Sequence, residues 1–344
     1  MSAVAAFGAL ALVASACSGG GTKEAKATAA TQPPPSSSTT GKVAPPTYPL
    51  TGRQVDDAGR AARPALVVKI DNAPQAWPQV GLGAADIVYE EVVEGGITRF
   101  LAVFQSTDAG LVGPVRSVRP IDPAIVTPLG GLFAYSGGAP KFQAMIRKAP
   151  VQVVGFDEAS DAYHRDRSRK APHNLFTTTQ QLWAKAGADR HAPAPAFTYA
   201  VDGRSPDGPN EKPLNGFTIV MGQRTTVGWD WDAGAKVWRR TTNGTPHVDQ
   251  AGAQLGFDNV VLQLVQYRST GDLDVGGNHV PEADIVGSGN AFLLADGKMI
   301  PGRWSKPDAA TQTRFTDEQG GVLELKPGRT FVEFMPLDAA TQSR

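Results

Sequence analysis

The sequence has a single cysteine, Cys17, in 344 residues. The chain therefore cannot form an internal disulfide, and beyond residue 17 it has no thiol to act as a nucleophile or a metal ligand. Its 33 basic and 33 acidic residues cancel, and no basic run stands out, so nucleic acid is not an expected partner. Stability has to come from a packed core.

Specific catalytic and cofactor motifs are also missing. The chain has no Gly-x-Ser-x-Gly elbow, no Ser-x-x-Lys pair and no phosphate-binding P-loop, and its histidines lack the HExxH spacing. We therefore predict no metal site and no cofactor. A serine hydrolase would have to be unconventional, and a cysteine enzyme is excluded.

The apolar run at residues 3–14 is too short to span a bilayer comfortably. It is followed by Ala14, Ser15, Ala16 and Cys17, which resemble a bacterial lipobox, where the signal peptide is cut before a cysteine that then carries lipid. An ordinary secretory signal is the alternative. We predict a signal peptide at 1–16, a lipid anchor to the cell membrane at Cys17, and an extracytoplasmic chain.

The rest of the chain divides into five segments of different composition. Residues 17–47 are rich in Gly, Ser, Thr, Ala and Pro and predict a disordered tether. In 48–190 strand and helix patterns alternate, a proline-rich linker follows at 191–216, and 217–336 contains short strands between turns, before a tail at 337–344. We predict an α+β protein with a mixed α/β amino-terminal domain and a β-rich, sandwich or barrel-like, carboxy-terminal domain.

The segment ADIVYEEVVEGGITRFLAVFQS predicts a β-hairpin with a two-residue turn at Gly95 and Gly96. In that register Arg99 lies between Glu90 and Glu94 on one face. Glu90 and Glu94, with Asp71 after an earlier strand, are the candidate catalytic carboxylates, since glycoside cleavage uses two nearby acids. A neighbouring arginine favours their ionised forms, so structural ion pairing is the competing interpretation.

Two loop segments carry groups suited to ligand binding. Arg116 and Arg119 lie in GPVRSVRP, and arginine binds phosphate or carboxylate through paired hydrogen bonds. His173 and Asn174 lie in RSRKAPHNLF. With Arg99 these are the predicted ligand-binding residues, against the alternatives of a solvated surface and a histidine hydrogen-bonded to backbone.

A pair of tryptophans forms a second candidate site. Trp229 and Trp231, in WDWDAGAKVWRR, share a face in strand geometry and predict a platform for stacking on sugar rings. The alternative for both residues is core packing.

Several of these motifs resemble one family. ADIVYEEVVEGGITRFLAVFQS, GPVRSVR and RSRKAPHNLF, with GSGNAFLLADGKMIPGRW and KPGRTFVEF, are similar to the bacterial YerB-like lipoproteins of domain of unknown function 3048. The resemblance implies an envelope location and two domains, and it leaves the chemistry open because the family has no established activity. We expect a non-enzymatic protein that binds or scaffolds cell-wall glycan, an anionic envelope polymer or a partner protein; a cell-wall hydrolase using the paired carboxylates is the alternative.

Overall fold

The computed structural model describes residues 45–201 and 204–344. The predicted signal peptide, Cys17 and the tether as far as residue 44 lie outside the described residues. The four α-helices of the described part lie before residue 184: α1 (Ala58–Ala62), α2 (Asp122–Val126), α3 (Pro140–Lys148) and α4 (Thr179–Trp183). Among the residues described, no helix is both long and apolar enough to cross a membrane.

Seven strands precede residue 178. They are β1 (Leu66–Asp71), β2 (Ile87–Val92), β3 (Thr98–Phe104), β4 (Leu132–Ala134), β5 (Gln152–Val153), β6 (Tyr163–Arg165) and β7 (Leu175–Thr177). β1 and β3 are buried along their whole length, as their runs of apolar side chains predict for strands covered on both faces.

Fourteen strands follow residue 211, so the predicted α+β class is confirmed. They are β8 (Lys212–Pro213), β9 (Gly216–Gly222), β10 (Thr225–Asp232), β11 (Val237–Thr242), β12 (Thr245–Pro246), β13 (Gly256–Phe257), β14 (Asn259–Val265), β15 (Tyr267–Leu273), β16 (His279–Ala283), β17 (Gly287–Ala295), β18 (Lys298–Lys306), β19 (Arg314–Asp317), β20 (Thr330–Pro336) and β21 (Thr341–Ser343).

The main sheet has the order β19-β18-β17-β14-β20-β2-β3-β1-β4-β5, with β8 added to β18. β20 lies between β2 and β14 and runs parallel to both. The sheet thus contains strands from both sides of the predicted linker at 191–216. The division into two domains stays a prediction about the organisation of the chain.

A second sheet, β12-β11-β10-β9-β21 with β13 paired to β11, covers one face of the main sheet. Aromatic side chains fill the space between them: the ring of Phe331 on β20 lies 4.9 Å from Trp229 and 5.2 Å from Phe257, edge to face. The other face of the main sheet packs against α2 and α3 through Ile125 and Ile146. Two short hairpins, β6-β7 and β15-β16, complete the fold.

The predicted register of the β2-β3 hairpin was wrong by one residue. Glu94, Gly95 and Gly96 form a three-residue turn, closed by a hydrogen bond from the Val93 N–H to the Ile97 carbonyl at 2.8 Å. Both glycines have positive φ, of 72° and 70°. The strands therefore pair Glu91 with Arg99, and Glu90 faces the opposite side of the sheet.

Candidate functional site

The segment that carries Arg116 and Arg119 is held against the end of β1. β4 pairs only with Leu66–Val68, which leaves the last residues of β1 with a free edge. Residues 114–116 fill it: the Asp71 N–H donates to the Pro114 carbonyl, and the Arg116 N–H donates to the Lys69 carbonyl, both at 2.9 Å. Arg116 is thereby fixed beside Asp71. Asp71 in turn pairs with Arg99 of β3 on the other side of β1.

The same segment is held on its other side by residues 136–138. The Val118 N–H donates to the Gly137 carbonyl at 2.9 Å. Gly138 follows with a φ of 152°, and a β-carbon there would lie 2.5 Å from the Val118 Cγ1. The close approach of these two segments therefore requires glycine at this position.

A cavity of about 940 Å³ opens beside these segments, and we call it the arginine cleft. Three guanidinium-bearing residues line it: Arg99 and Arg119, which are buried, and Arg116, which is partly exposed. One wall is the start of α3 and the opposite wall is the β15-β16 hairpin. The structure therefore brings three of the predicted ligand-binding residues into one cavity.

The three arginines differ in how well their donors are satisfied. Arg119 is bound through Nε and Nη2 to one oxygen of Glu94, at 2.9 and 2.6 Å, and Nη1 donates to the Val118 carbonyl at 2.8 Å. Within the described residues, Arg99 makes one side-chain hydrogen bond, to the Ser117 carbonyl at 3.1 Å, and its buried Nε has no partner. Arg116 makes only an ion pair, with Nε 3.0 Å from Asp71 Oδ2, and that Nε also lacks a hydrogen-bond partner.

Burial and repulsion by neighbouring cations make Arg99 electrostatically unusual. Desolvation, with Arg119 and Arg116 close by, lowers the pKa of Arg99 to about 9, against partial compensation by Asp71 and Glu94. The side chain remains charged at neutral pH, with less neutralisation than a buried cation normally receives. The arrangement favours the arrival of a further negative group in the cleft.

The other charges that line the cleft are already paired. Lys141 of α3 forms an ion pair with Asp272 of the hairpin. Asp274 accepts hydrogen bonds from the backbone N–H groups of Gly276 and Asn278, both at 2.8 Å. Among the described residues that line the cleft, the buried side-chain donors without a hydrogen bond are therefore the Nε atoms of Arg99 and Arg116.

His173 and Asn174 have separate surroundings. The Nδ1 atom of His173 lies 2.7 Å from Asp71 Oδ2, so this carboxylate contacts both His173 and Arg116. Asn174 is buried and accepts from Arg165 at 2.9 Å while its amide donates to two backbone carbonyls. His173 is connected to the arginine cleft through Asp71, whereas Asn174 holds its own loop together.

The structure does not bring the three candidate carboxylates together as a catalytic pair. Glu90 is completely buried on the opposite face of the main sheet, where it accepts from Arg240 Nη2 at 2.5 Å and from Thr98 at 2.5 Å. Glu94 and Asp71 lie on the cleft side, each held by an arginine. The predicted grouping of Glu90 and Glu94 around Arg99 is thus incorrect, because the three-residue turn reverses the face of Glu90.

Glu90 belongs to a buried polar network that the sequence analysis missed. Arg240 joins it to His247, whose Nδ1 lies 2.6 Å from Arg240 Nη1, and the His247 Nε2 lies 2.9 Å from Gln79 Oε1. Burial and the charge of Arg240 lower the pKa of His247 well below its usual value, so the ring is neutral. Glu333, next to Glu90 on the adjacent strand, has a pKa raised well above its usual value by burial and by the Glu90 charge.

A second missed cluster lies behind the arginine cleft. Lys69 is fully buried and pairs with both Glu91 and, at 2.7 Å, Asp122. Burial raises the pKa of Glu91 to about 7, against the attraction of Lys69. The carboxylate of Asp122 also accepts from the Arg119 N–H at 2.7 Å, which links this cluster to the cleft. Lys69 stands alone among apolar residues in ALVVKI, and that isolation was the available signal.

The predicted tryptophan platform does not exist at Trp229. This residue is fully buried between the two sheets, and its indole N–H donates to Glu333 at 3.0 Å. Trp231 is partly buried and packs on Trp238 with ring centroids 5.4 Å apart. Core packing was the alternative interpretation for these residues, and for Trp229 it holds. In the part of the chain that the structure describes, no cluster of His, Cys, Asp and Glu could hold a metal ion.

Comparisons with known proteins agree with the resemblance seen in the motifs. Models of the "Protein of unknown function (DUF3048)" N-terminal and C-terminal domains match residues 50–192 and 217–332. "Putative lipoprotein YerB" of Bacillus subtilis (strain 168) is 28% identical over 305 residues, which cover 86% of this chain and 88% of that protein. The crystal structure of the YerB protein from Bacillus subtilis superposes with a TM-score of 0.70 at 23% identity, over 86% of this chain and 99% of that one. The structural match supports the fold.

Proposed function

Because the chain belongs to the DUF3048 family, whose description assigns no function, we propose from the site itself that the protein binds an anionic group of the cell envelope in the arginine cleft. The proposal is of binding without catalysis. The observation that carries it is the pair of guanidinium groups, Arg99 and Arg116, that line a cleft of about 940 Å³. Within the described residues the buried Nε of Arg99 has no partner, and the Nε of Arg116 has an ion pair with Asp71 but no hydrogen bond.

The chemistry of these groups favours phosphate or carboxylate. A guanidinium offers a planar set of N–H donors that matches two oxygens of one anion. A buried donor without a partner costs on the order of 1–3 kcal/mol, which an incoming anion recovers. Phosphorylated or carboxylated glycans and peptidoglycan carry such groups at the cell surface, and they are the proposed ligands.

The location proposed for the protein is the outer side of the cell membrane. It rests on the lipobox-like sequence that ends at Cys17 and on similarity to a protein named a lipoprotein. We expect a labelled fatty acid to be incorporated into the wild-type chain and not into the Cys17→Ala variant. Equal labelling of both chains would exclude Cys17 as the anchor.

A cell-wall hydrolase is the weaker alternative. It needs two carboxylates that face one substrate, with at least one able to hold a proton. Asp71 and Glu94 are the two acids on the cleft side, and arginines neutralise both. A binding protein needs only the charged cleft.

The binding proposal is tested by retention of the protein on purified cell-wall sacculi, prepared with and without their anionic polymers. We expect wild type to be retained on sacculi that keep the polymers and to release no fragments. Arg116→Gln, alone and with Arg119→Gln, should lose retention, and Arg303→Gln, an exposed arginine of β18, should not. Release of muropeptides or sugars would replace the proposal with the hydrolase. No retention on either preparation would contradict the polymer ligand and direct the search to a protein partner.

A further inference from the structure

The outer part of the arginine cleft is apolar, in contrast to its buried end. Leu273 and Val275, near the tip of the β15-β16 hairpin, line the cleft, and Leu273 is 58% exposed while Val275 is fully exposed. Phe142 of α3 and Val280 of β16 line it from below and are buried. The rim of this charged cavity thus exposes two apolar side chains that are two residues apart in the chain.

The acidic groups of the hairpin do not make this outer part attractive to polar ligands. Asp272 is paired with Lys141, and one oxygen of Asp274 accepts from two backbone N–H groups of its own turn. Both carboxylates are thus engaged within the protein. The exposed aliphatic side chains of Leu273 and Val275 lie beside them at the rim.

The start of α3 adds to the preference for an anion at the inner part. The helix begins at Pro140, no side chain caps it, and Ala139 and Pro140 line the cleft. The partial positive charge of an uncapped helix N-terminus favours a negative group nearby. It acts here together with the positive charges of Arg99 and Arg116.

We infer that the ligand of the arginine cleft is an amphiphile: a phosphate monoester whose anionic group binds Arg99 and Arg116 and whose aliphatic chain lies against Leu273 and Val275. This inference rests on the proposed function and narrows its ligand from any envelope anion to a lipid-linked one. The cleft has the volume for both parts, since about 940 Å³ far exceeds what a phosphate group alone occupies.

The test uses soluble phosphates with chains of increasing length: inorganic phosphate, ethyl phosphate, butyl phosphate and hexyl phosphate. Calorimetric titration of the whole chain should give a dissociation constant that falls along the series. The largest expected decrease in the dissociation constant is roughly fourfold for each CH₂ that becomes fully buried. Hexanol, which has the chain without the anion, should not bind measurably.

Two variants separate the head-group site from the chain site. Arg116→Gln should weaken every member of the series, including inorganic phosphate. Leu273→Ser with Val275→Ser should leave inorganic phosphate unchanged and remove the dependence on chain length. Leu273 and Val275 are at exposed positions of the hairpin, and an unchanged thermal unfolding temperature will show that the Leu273→Ser, Val275→Ser variant is folded.

The outcomes distinguish this inference from the function on which it rests. If inorganic phosphate and all the esters fail to bind, the anion-binding proposal itself fails. If the phosphates bind with one dissociation constant whatever their chain, the cleft takes an anion and the amphiphile is refuted. A chain-length dependence that survives in the Leu273→Ser, Val275→Ser variant would refute the assigned chain site.

Discussion

Substitution of Arg240 by methionine should be among the most damaging single changes in the protein. Arg240 of β11 and Glu90 of β2 are both fully buried and join the second sheet to the main sheet at 2.5 Å. The guanidinium also lies over the rings of Phe100, Trp229 and Phe331, at 5.3, 5.9 and 5.4 Å from their centroids. Methionine fills similar volume and leaves the Glu90 charge buried without its partner.

The expected loss is about 3–5 kcal/mol in the free energy of unfolding, because removal of one partner strands the other charge in the core. This is a large part of the 5–15 kcal/mol or so by which most domains are stable. Urea unfolding, followed by tryptophan fluorescence, measures it. Arg204→Met is the matched control, since the ion pair of Arg204 with Glu324 is exposed and should be worth about 0–1 kcal/mol.

A double variant checks the reason for the loss. Glu90→Gln with Arg240→Met removes the stranded charge, so it should be more stable than Arg240→Met alone. Two results would refute the reasoning. One is a loss below about 1 kcal/mol for Arg240→Met. The other is a double variant as unstable as the sum of the two single changes, which would mean that the charges do not interact.

Three further predictions concern the buried groups and the cleft. The pKa of Glu91 is raised to about 7, so its contribution to the free energy of unfolding is fully present below about pH 4.5 and is lost as the pH rises to about 7. Urea unfolding across this range should show a decline of at most about 3 kcal/mol in wild type that Glu91→Gln lacks. Parallel pH profiles for the two proteins would contradict this prediction. Burial and the Glu90 charge raise the pKa of Glu333, so we expect it to hold a proton, and the infrared spectrum of Glu333→Gln at neutral pH should lose carboxylic acid carbonyl intensity relative to wild type, beyond the band that Glu91 contributes to both; unchanged intensity would assign the proton elsewhere. Gly138→Ala should lower the free energy of unfolding by about 1–3 kcal/mol, because Gly138 has a positive φ and a β-carbon there would contact Val118. Val118→Ala should partly restore the stability of this variant. An unchanged melting temperature for Gly138→Ala would show that the two segments can separate.

The sequence allowed two features to be predicted, the class of fold and the three arginines that the structure places in one cleft, for different reasons. Strand and helix patterns are local, so the change to a strand-rich region after residue 211 was visible in them. Arg116 and Arg119 stood out because a short loop concentrated the two charges. Arg99 was also predicted to bind ligand, but the prediction used an incorrect register for the β2-β3 hairpin.

The register of this hairpin could not be predicted from the sequence because Gly-Gly is compatible with turns of more than one length. A two-residue and a three-residue turn both accept positive φ at these glycines, and the choice between them moves every later residue to the other face. Glu90 was misplaced for this reason. Its true partner, Arg240, lies 150 residues along the chain, and no local pattern predicts such a pair.

The position of β20 inside the main sheet has a consequence for biosynthesis. β2 is translated early, yet one of its two edges stays unpaired until the ribosome has reached residues 330–336. During that interval the nascent chain presents an apolar strand edge that can pair with any other extended segment. Closure of the sheet across such a long sequence separation is also slow. Cells that make this protein therefore need to keep the growing chain apart from its neighbours until its last strands emerge.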